Sequence, residues 1–157
     1  PTNFMFGYKD KKYKLYLIDF GLCVYGKNGE IYNVEKSSSF IGNLNYGSYM
    51  SLLKNKPDYK DDIESVLYIM IEMYLGKLPW SNLELNKKNI PLLIIKKNPQ
   101  LVYDFCKFNN LPHYMLKVVR YVLFSNRRFL DYNYILTMLR NQLCEQGYKE
   151  DYQYDWL

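Results

Sequence analysis

Tyr13-Lys14-Leu15-Tyr16-Leu17-Ile18-Asp19-Phe20-Gly21 runs a short apolar strand directly into an acid, an aromatic residue and a glycine. Leu15, Leu17 and Ile18, with Tyr13 and Tyr16 beside them, form a β-prone run bounded by lysine-rich turn residues before and Gly21 after, as in a half-buried strand. The strand ends on a single carboxylate. Mg²⁺ takes oxygen ligands, keeps several waters, and is commonly held by one or two carboxylates plus substrate phosphates, so one Asp at a strand end can serve. Gly21 lets the chain turn away sharply. Three residues leave two readings open, an ordinary strand-to-turn junction and a metal ligand, and the surrounding chain decides between them.

Working outward, residues 4–6 and 14–18 read as two strands joined by the polar turn 7–12, which is a hairpin. From residue 22 to 48 periodicity fades among Gly26, Asn28, Gly29, Ser37, Ser38, Ser39, Gly42 and Gly47, giving a long loop, and loops of that length inside compact domains are usually functional. Helices then take over. After Asp61-Asp62, the residues Ile63, Val66, Leu67, Met70, Ile71, Tyr74 and Leu75 recur at helical spacing until Gly76 stops them. Two acids in the first turn suit the positive end of the helix dipole, and the broad apolar face predicts the central helix of the fold. Weaker helical patterns follow at 86–97, 99–107 and 112–124, with Pro91 required near a first turn. A last helix is predicted over 132–145, with Ile135, Met138, Leu139 and Leu143 inward, before an aromatic, acidic tail. No internal repeat or linker divides the chain.

At 157 residues and 48% hydrophobic, the chain suffices for one real core and one domain. No apolar run approaches the roughly 18 residues of a bilayer span, and no basic-then-apolar leader opens the chain, so a soluble protein without a membrane partner is expected. Cys23, Cys106 and Cys144 are widely spaced with His113 as the lone histidine, which argues against a disulfide scaffold or zinc site and for reduced thiols in the cytoplasm or nucleus. The net charge of +5 permits an acidic partner, but the lysines are spread along the chain in short pairs such as Lys87-Lys88 and Lys96-Lys97, read as solvated faces. No motif or clustered basic stripe supports nucleic-acid binding.

These segments, taken in order, resemble the C-terminal lobe of a eukaryotic-type protein kinase, closest to the casein kinase 1 group with its tau-tubulin and vaccinia-related kinases. Pro1-Thr2-Asn3-Phe4 resembles the end of that group's catalytic loop, Asp-x-Lys-Pro-x-Asn-Phe, and Ile18-Asp19-Phe20-Gly21-Leu22 follows at a typical separation. Gly42-Asn43-Leu44-Asn45-Tyr46-Gly47-Ser48 resembles its Gly-Thr-x-Arg-Tyr-Ala-Ser segment. Asp61-Asp62-Ile63-Glu64-Ser65 and Gly76-Lys77-Leu78-Pro79-Trp80 resemble the segments flanking its central helix, and Gly147-Tyr148 with Asp151-Tyr152-Gln153-Tyr154-Asp155-Trp156 its closing pattern.

The resemblance implies a mainly α fold with a small β-hairpin, a partial kinase fold spanning 1–157: residues 1–21 as catalytic-loop end, hairpin and Asp-Phe-Gly, 22–48 as activation loop, and 49–157 as helical subdomain. It implies an ATP-dependent protein serine/threonine kinase in which Asn3 and Asp19 hold the Mg²⁺ ions that bridge the ATP phosphates. Asp62 would accept backbone hydrogen bonds from the catalytic loop, and Gly42, Asn43, Asn45, Tyr46 and Ser48 would lie beneath the acceptor peptide. The family's glycine-rich loop, anchoring Lys, helix Glu and catalytic Asp all precede the residue matching Pro1. The chain is therefore expected to belong to a longer kinase, inactive alone, with the N-lobe, ATP and a protein substrate as partners. Asn43 stands where the family usually has a Thr, and Asn45 where it has an Arg for acidic or primed substrates, whose bidentate charge an amide cannot replace. Those departures keep a second function open, a pseudokinase or interaction module. Ser37, Ser38 and Ser39 read as a serine-rich loop before they read as phosphorylation sites.

Overall fold

The computed structural model describes residues 2–24, 26–27, 30–31, 40–54, 58–126 and 130–149. It is mainly helical with a small antiparallel hairpin. The chain divides into two compact units, residues 1–32 with 140–157, and residues 33–139.

In the first unit β1 (Phe4–Phe6) pairs antiparallel with β2 (Leu15–Leu17), Phe4 opposite Leu17 and Phe6 opposite Leu15. The connection carries a 3₁₀ turn at Lys9–Lys11. Gly7 opens that turn, its N–H donating to the Lys14 carbonyl at 2.9 Å, and a Cβ on Gly7 would stand 2.2 Å from the Lys11 carbonyl oxygen, so only glycine fits. The expected half-buried strand is instead exposed: Met5, Phe6, Leu15, Tyr16 and Leu17 all face solvent. A two-stranded ribbon has no second layer of its own with which to cover apolar side chains. The segment expected as a long loop contains a second minimal hairpin, β3 (Gly26–Lys27) with β4 (Glu30–Ile31).

In the second unit α2 (Tyr59–Leu75) is the central helix. It starts two residues before the acid pair because Asp58 caps it and Asp61 returns the bond, its Oδ2 accepting the Asp58 N–H at 2.7 Å. It stops at Gly76, whose φ of 71° is left-handed and whose N–H donates to the Glu72 carbonyl. α5 (His113–Phe124) packs on α2 and on α4 (Pro99–Phe108). Leu67, Tyr68, Ile71, Trp80, Val102, Val119 and Val122 form the centre of the core, with Tyr68 and Trp80 in edge-to-face contact at 4.9 Å.

The face that α2 buries is largely the one its apolar spacing predicts, with Leu67 and Ile71 buried and Ile63, Met70 and Leu75 packed against the core, but it also takes in polar residues. Val66 and Tyr74 are exposed, while Asp61, Glu64 and Tyr68 are buried. Each buried acid has hydrogen-bond donors, which lowers the cost of its desolvation. Residues 86–97 split into a 3₁₀ turn at Lys87–Asn89 and α3 (Ile90–Lys96), with Pro91 in the first turn, where its missing N–H costs nothing. A short helix, α1 (Tyr49–Lys54), follows the long loop and packs on α2 and α3; its six residues give no periodicity to read. α6 (Tyr132–Glu145) matches the predicted bounds; its residues 132–139 belong to this unit, with Ile135, Met138 and Leu139 packed against the core. Among the described residues, no helix is long and apolar enough to cross a membrane.

Candidate functional site

The first unit brings Asn3 and Asp19 to the same end of the hairpin. The Ile18 N–H donates to the Asn3 carbonyl at 2.9 Å, which extends the β1–β2 register by one position and sets Asp19 next to the residue opposite Asn3. Asp19 has a φ of 63°, a left-handed conformation uncommon outside glycine and better tolerated by Asp and Asn than by other residues. Its side chain is exposed, with Oδ1 accepting the Gly21 N–H at a long 3.4 Å. Asn3 is also exposed, its Oδ1 accepting the Thr2 hydroxyl at 3.4 Å. Neither oxygen is saturated by such weak bonds. Among the described residues no group of three or more His, Cys, Asp or Glu could hold a metal ion. A hard cation at this end would thus take one carboxylate, one amide oxygen, and otherwise phosphate or water, a donor set that suits Mg²⁺.

The second unit builds residues 42–48 into a tethered loop. Asn43 forms its turn: the main-chain carbonyl accepts the Tyr46 and Gly47 N–H groups at 3.2 and 2.8 Å, and Oδ1 accepts the Asn45 N–H at 2.8 Å. Gly47 gives close passage, because a Cβ there would meet the Phe40 ring at 2.5 Å. The following side chains turn inward. Asn45 accepts the Trp80 indole N–H on both its carbonyl (3.0 Å) and its Oδ1 (2.9 Å). The Tyr46 hydroxyl donates to Glu72 at 2.5 Å, and burial followed by that carboxylate raises the phenol's pKa. Ser48 is buried and donates to Asp61 Oδ1 at 2.5 Å, while its Oγ accepts the Ser51 N–H at 2.9 Å. Gly42 and Asn43 remain exposed.

The principal anchor of this loop is Lys97, which its sequence setting assigned to a solvated lysine pair. Its side chain is fully buried, and its Nζ donates to the Asn45 carbonyl at 2.9 Å and the Gly47 carbonyl at 2.7 Å. The same ammonium stands 3.9 Å from the Trp80 ring centroid and 4.4 Å from that of Tyr68. Burial pushes its pKa down to about 7, opposed by the Glu64 carboxylate. Glu64 in turn accepts the Tyr49 N–H at 2.8 Å and the Tyr68 hydroxyl. A lysine after a short helix, with no acidic neighbour in sequence, carries no local signal of such a role.

Asp62 is exposed on the first turn of α2. Cys23 and Cys144 are free and exposed, and Cys106 is free and buried, its thiol pushed up to about 12 by desolvation and so unreactive. His113 is exposed at the start of α5. Ser37, Ser38 and Ser39, Pro1, and Asp151 to Trp156 of the closing pattern lie outside the described residues. No protein-family model matches the chain.

Proposed function

We propose that this chain is the substrate- and metal-binding lobe of an ATP-dependent protein serine/threonine kinase of casein kinase 1 type, acting in the cytoplasm or nucleus. The observation that carries the proposal is the pairing of Asn3 with Ile18, which brings Asn3 and Asp19 to one end of the β1–β2 hairpin. Mg-ATP supplies the transferable phosphoryl group and most of the charge neutralisation when bound. Asp19 contributes a formal charge and Asn3 a neutral oxygen to hold it, and the tethered loop 42–48 offers Gly42 and Asn43 as the exposed part of a peptide-docking segment. The exposed apolar hairpin suits coverage by an N-lobe. The catalytic base on this reading comes from outside these residues.

A second reading, an interaction module without catalysis, has its own observation. Asn43 Oδ1 is taken by the Asn45 N–H and Asn45 Oδ1 by Trp80, so both amides that replace family residues serve the loop itself.

Mn²⁺ in place of Mg²⁺, titrated into the chain with millimolar ATP and followed by water-proton relaxation, separates the two. A ternary signal lost in both Asp19→Asn and Asn3→Ala supports the kinase lobe. No signal in the unaltered chain, together with casein phosphorylation by the intact protein that is absent or indifferent to Asp19→Ala, replaces it with the interaction module.

A further inference from the structure

We propose that the groove between α5 and α6 in the second unit is a docking site for an acidic peptide segment that carries an aromatic anchor, an activity independent of the kinase reading. The groove encloses about 410 Å³. On α5, Lys117, Arg120, Tyr121 and Phe124 follow one another at helical spacing along its wall, and Tyr134 and Met138 line it from α6.

Charge and shape select the occupant together. Among the described lining residues Lys117 and Arg120 carry the formal charge, and both are exposed cations. A further cation is fixed beside it, since the Lys60 ammonium donates to the carbonyl of Ser125, another lining residue, at 2.8 Å. The floor and rim are aromatic and already oriented. Tyr121 meets Tyr134 edge-to-face at 4.9 Å, and its hydroxyl accepts the Asp131 N–H at 3.0 Å. Phe124 meets Tyr103 at 6.0 Å. Even so, Phe124 and Tyr134 remain 44% and 49% exposed. Rings held in place but uncovered present apolar area to a ligand with little ordering cost, and Met138 beside them is an adaptable, polarisable contact.

A groove with half-exposed rims cannot enclose most of a small molecule's surface, as small-ligand pockets do. It can receive one ring of a longer chain while that chain's carboxylates lie over Lys117 and Arg120, the Arg binding bidentately. A second aromatic body with fixed polar groups around it is the arrangement of an interface hot spot.

The test is fluorescence anisotropy of a fluorescein-labelled peptide, Glu-Glu-Phe-Glu-Glu, titrated with the whole chain at physiological salt. Saturable binding is expected, weakened about tenfold or more in a Lys117→Glu/Arg120→Glu double variant. Both side chains are exposed, so the fold should be retained and the thermal midpoint unchanged. Replacing the peptide's Phe by Ala should weaken binding similarly. Absence of binding, binding indifferent to the charge reversal, or equal binding of the Ala peptide or of a thymidine oligonucleotide would each overturn the proposal, the last two in favour of a general polyanion surface.

Discussion

The Lys97 ammonium and the Trp80 indole N–H converge on one atom, the carbonyl oxygen of Asn45, at 2.9 and 3.0 Å, while the ammonium lies 3.9 Å from the centre of the same Trp80 ring. Donor, cation and π-face are thus held by a single tryptophan at the middle of the 42–48 loop. The loop's position depends on residues far away in sequence.

Lys97 should impose a pH dependence on stability. Its folded pKa is depressed to about 7 from 10.5, so between these values the unfolded chain holds a proton that the folded chain lacks. Stability should therefore rise with pH from about 7 towards 9, by at most about 1.4 kcal/mol per pH unit. Above that, Tyr68, whose pKa is raised well above 10.0 by burial and Glu64, works in the opposite direction. Urea denaturation across the window in the unaltered chain and in Lys97→Met checks this: the variant should lose the upward slope.

Trp80→Phe keeps a ring near Lys97 but removes the donor to Asn45. The expected cost is about 1–3 kcal/mol, from an acceptor left short of a partner and from lost volume. Trp80→Ala should cost about 3–5 kcal/mol. Chemical denaturation with an unchanged m-value would show that the effect is on the folded state.

Ser48→Ala should destabilise by about 1–3 kcal/mol at neutral pH, because Asp61 is buried and loses one of its donors. Desolvation raises the Asp61 pKa and the Ser48 hydroxyl lowers it, so the variant should raise it further. A group with a raised folded pKa contributes most below its unfolded value, here 3.8, and loses that contribution as pH rises through the folded one. The deficit of Ser48→Ala should accordingly be smaller near pH 4 than at pH 7, which paired melts at the two values would reveal.

Asp19→Asn should retain the hairpin, since Asn tolerates a left-handed backbone, whereas Asp19→Ala should loosen it by about 1 kcal/mol. The Ile18 amide, bonded to Asn3, reports the difference. Its hydrogen exchange should quicken about fivefold in Asp19→Ala and stay nearly constant in Asp19→Asn. If both variants exchange alike, the positive φ of Asp19 is not a constraint on side-chain choice.

Most of the architecture was legible because it rests on local signals. The hairpin follows from strand-forming runs around a polar turn, the end of α2 from Gly76, the start of α3 from Pro91, and the bounds of α6 from its apolar spacing. Asp19 could be singled out as a carboxylate at a strand end and Asn3 only through the family resemblance; strand pairing brings the two to one end of the hairpin. What escaped was non-local. Glu64 and Tyr68 are buried because donors and rings from other elements meet them, and Lys97 is buried because two carbonyls and two aromatic faces await it. A pattern built on hydrophobicity assigns such residues to solvent. α1 was lost for a simpler reason, being shorter than two full turns of helix.

Asp61 uses its two carboxylate oxygens for different tasks, Oδ2 closing the start of α2 on Asp58 and Oδ1 receiving Ser48 from the tethered loop. The helix start and the loop end therefore share one opening event. Neither can fray without releasing the other, so their amides should exchange as one cooperative unit, and a substitution that alters the loop's docking face is tolerated only if it leaves the first turn of the central helix intact.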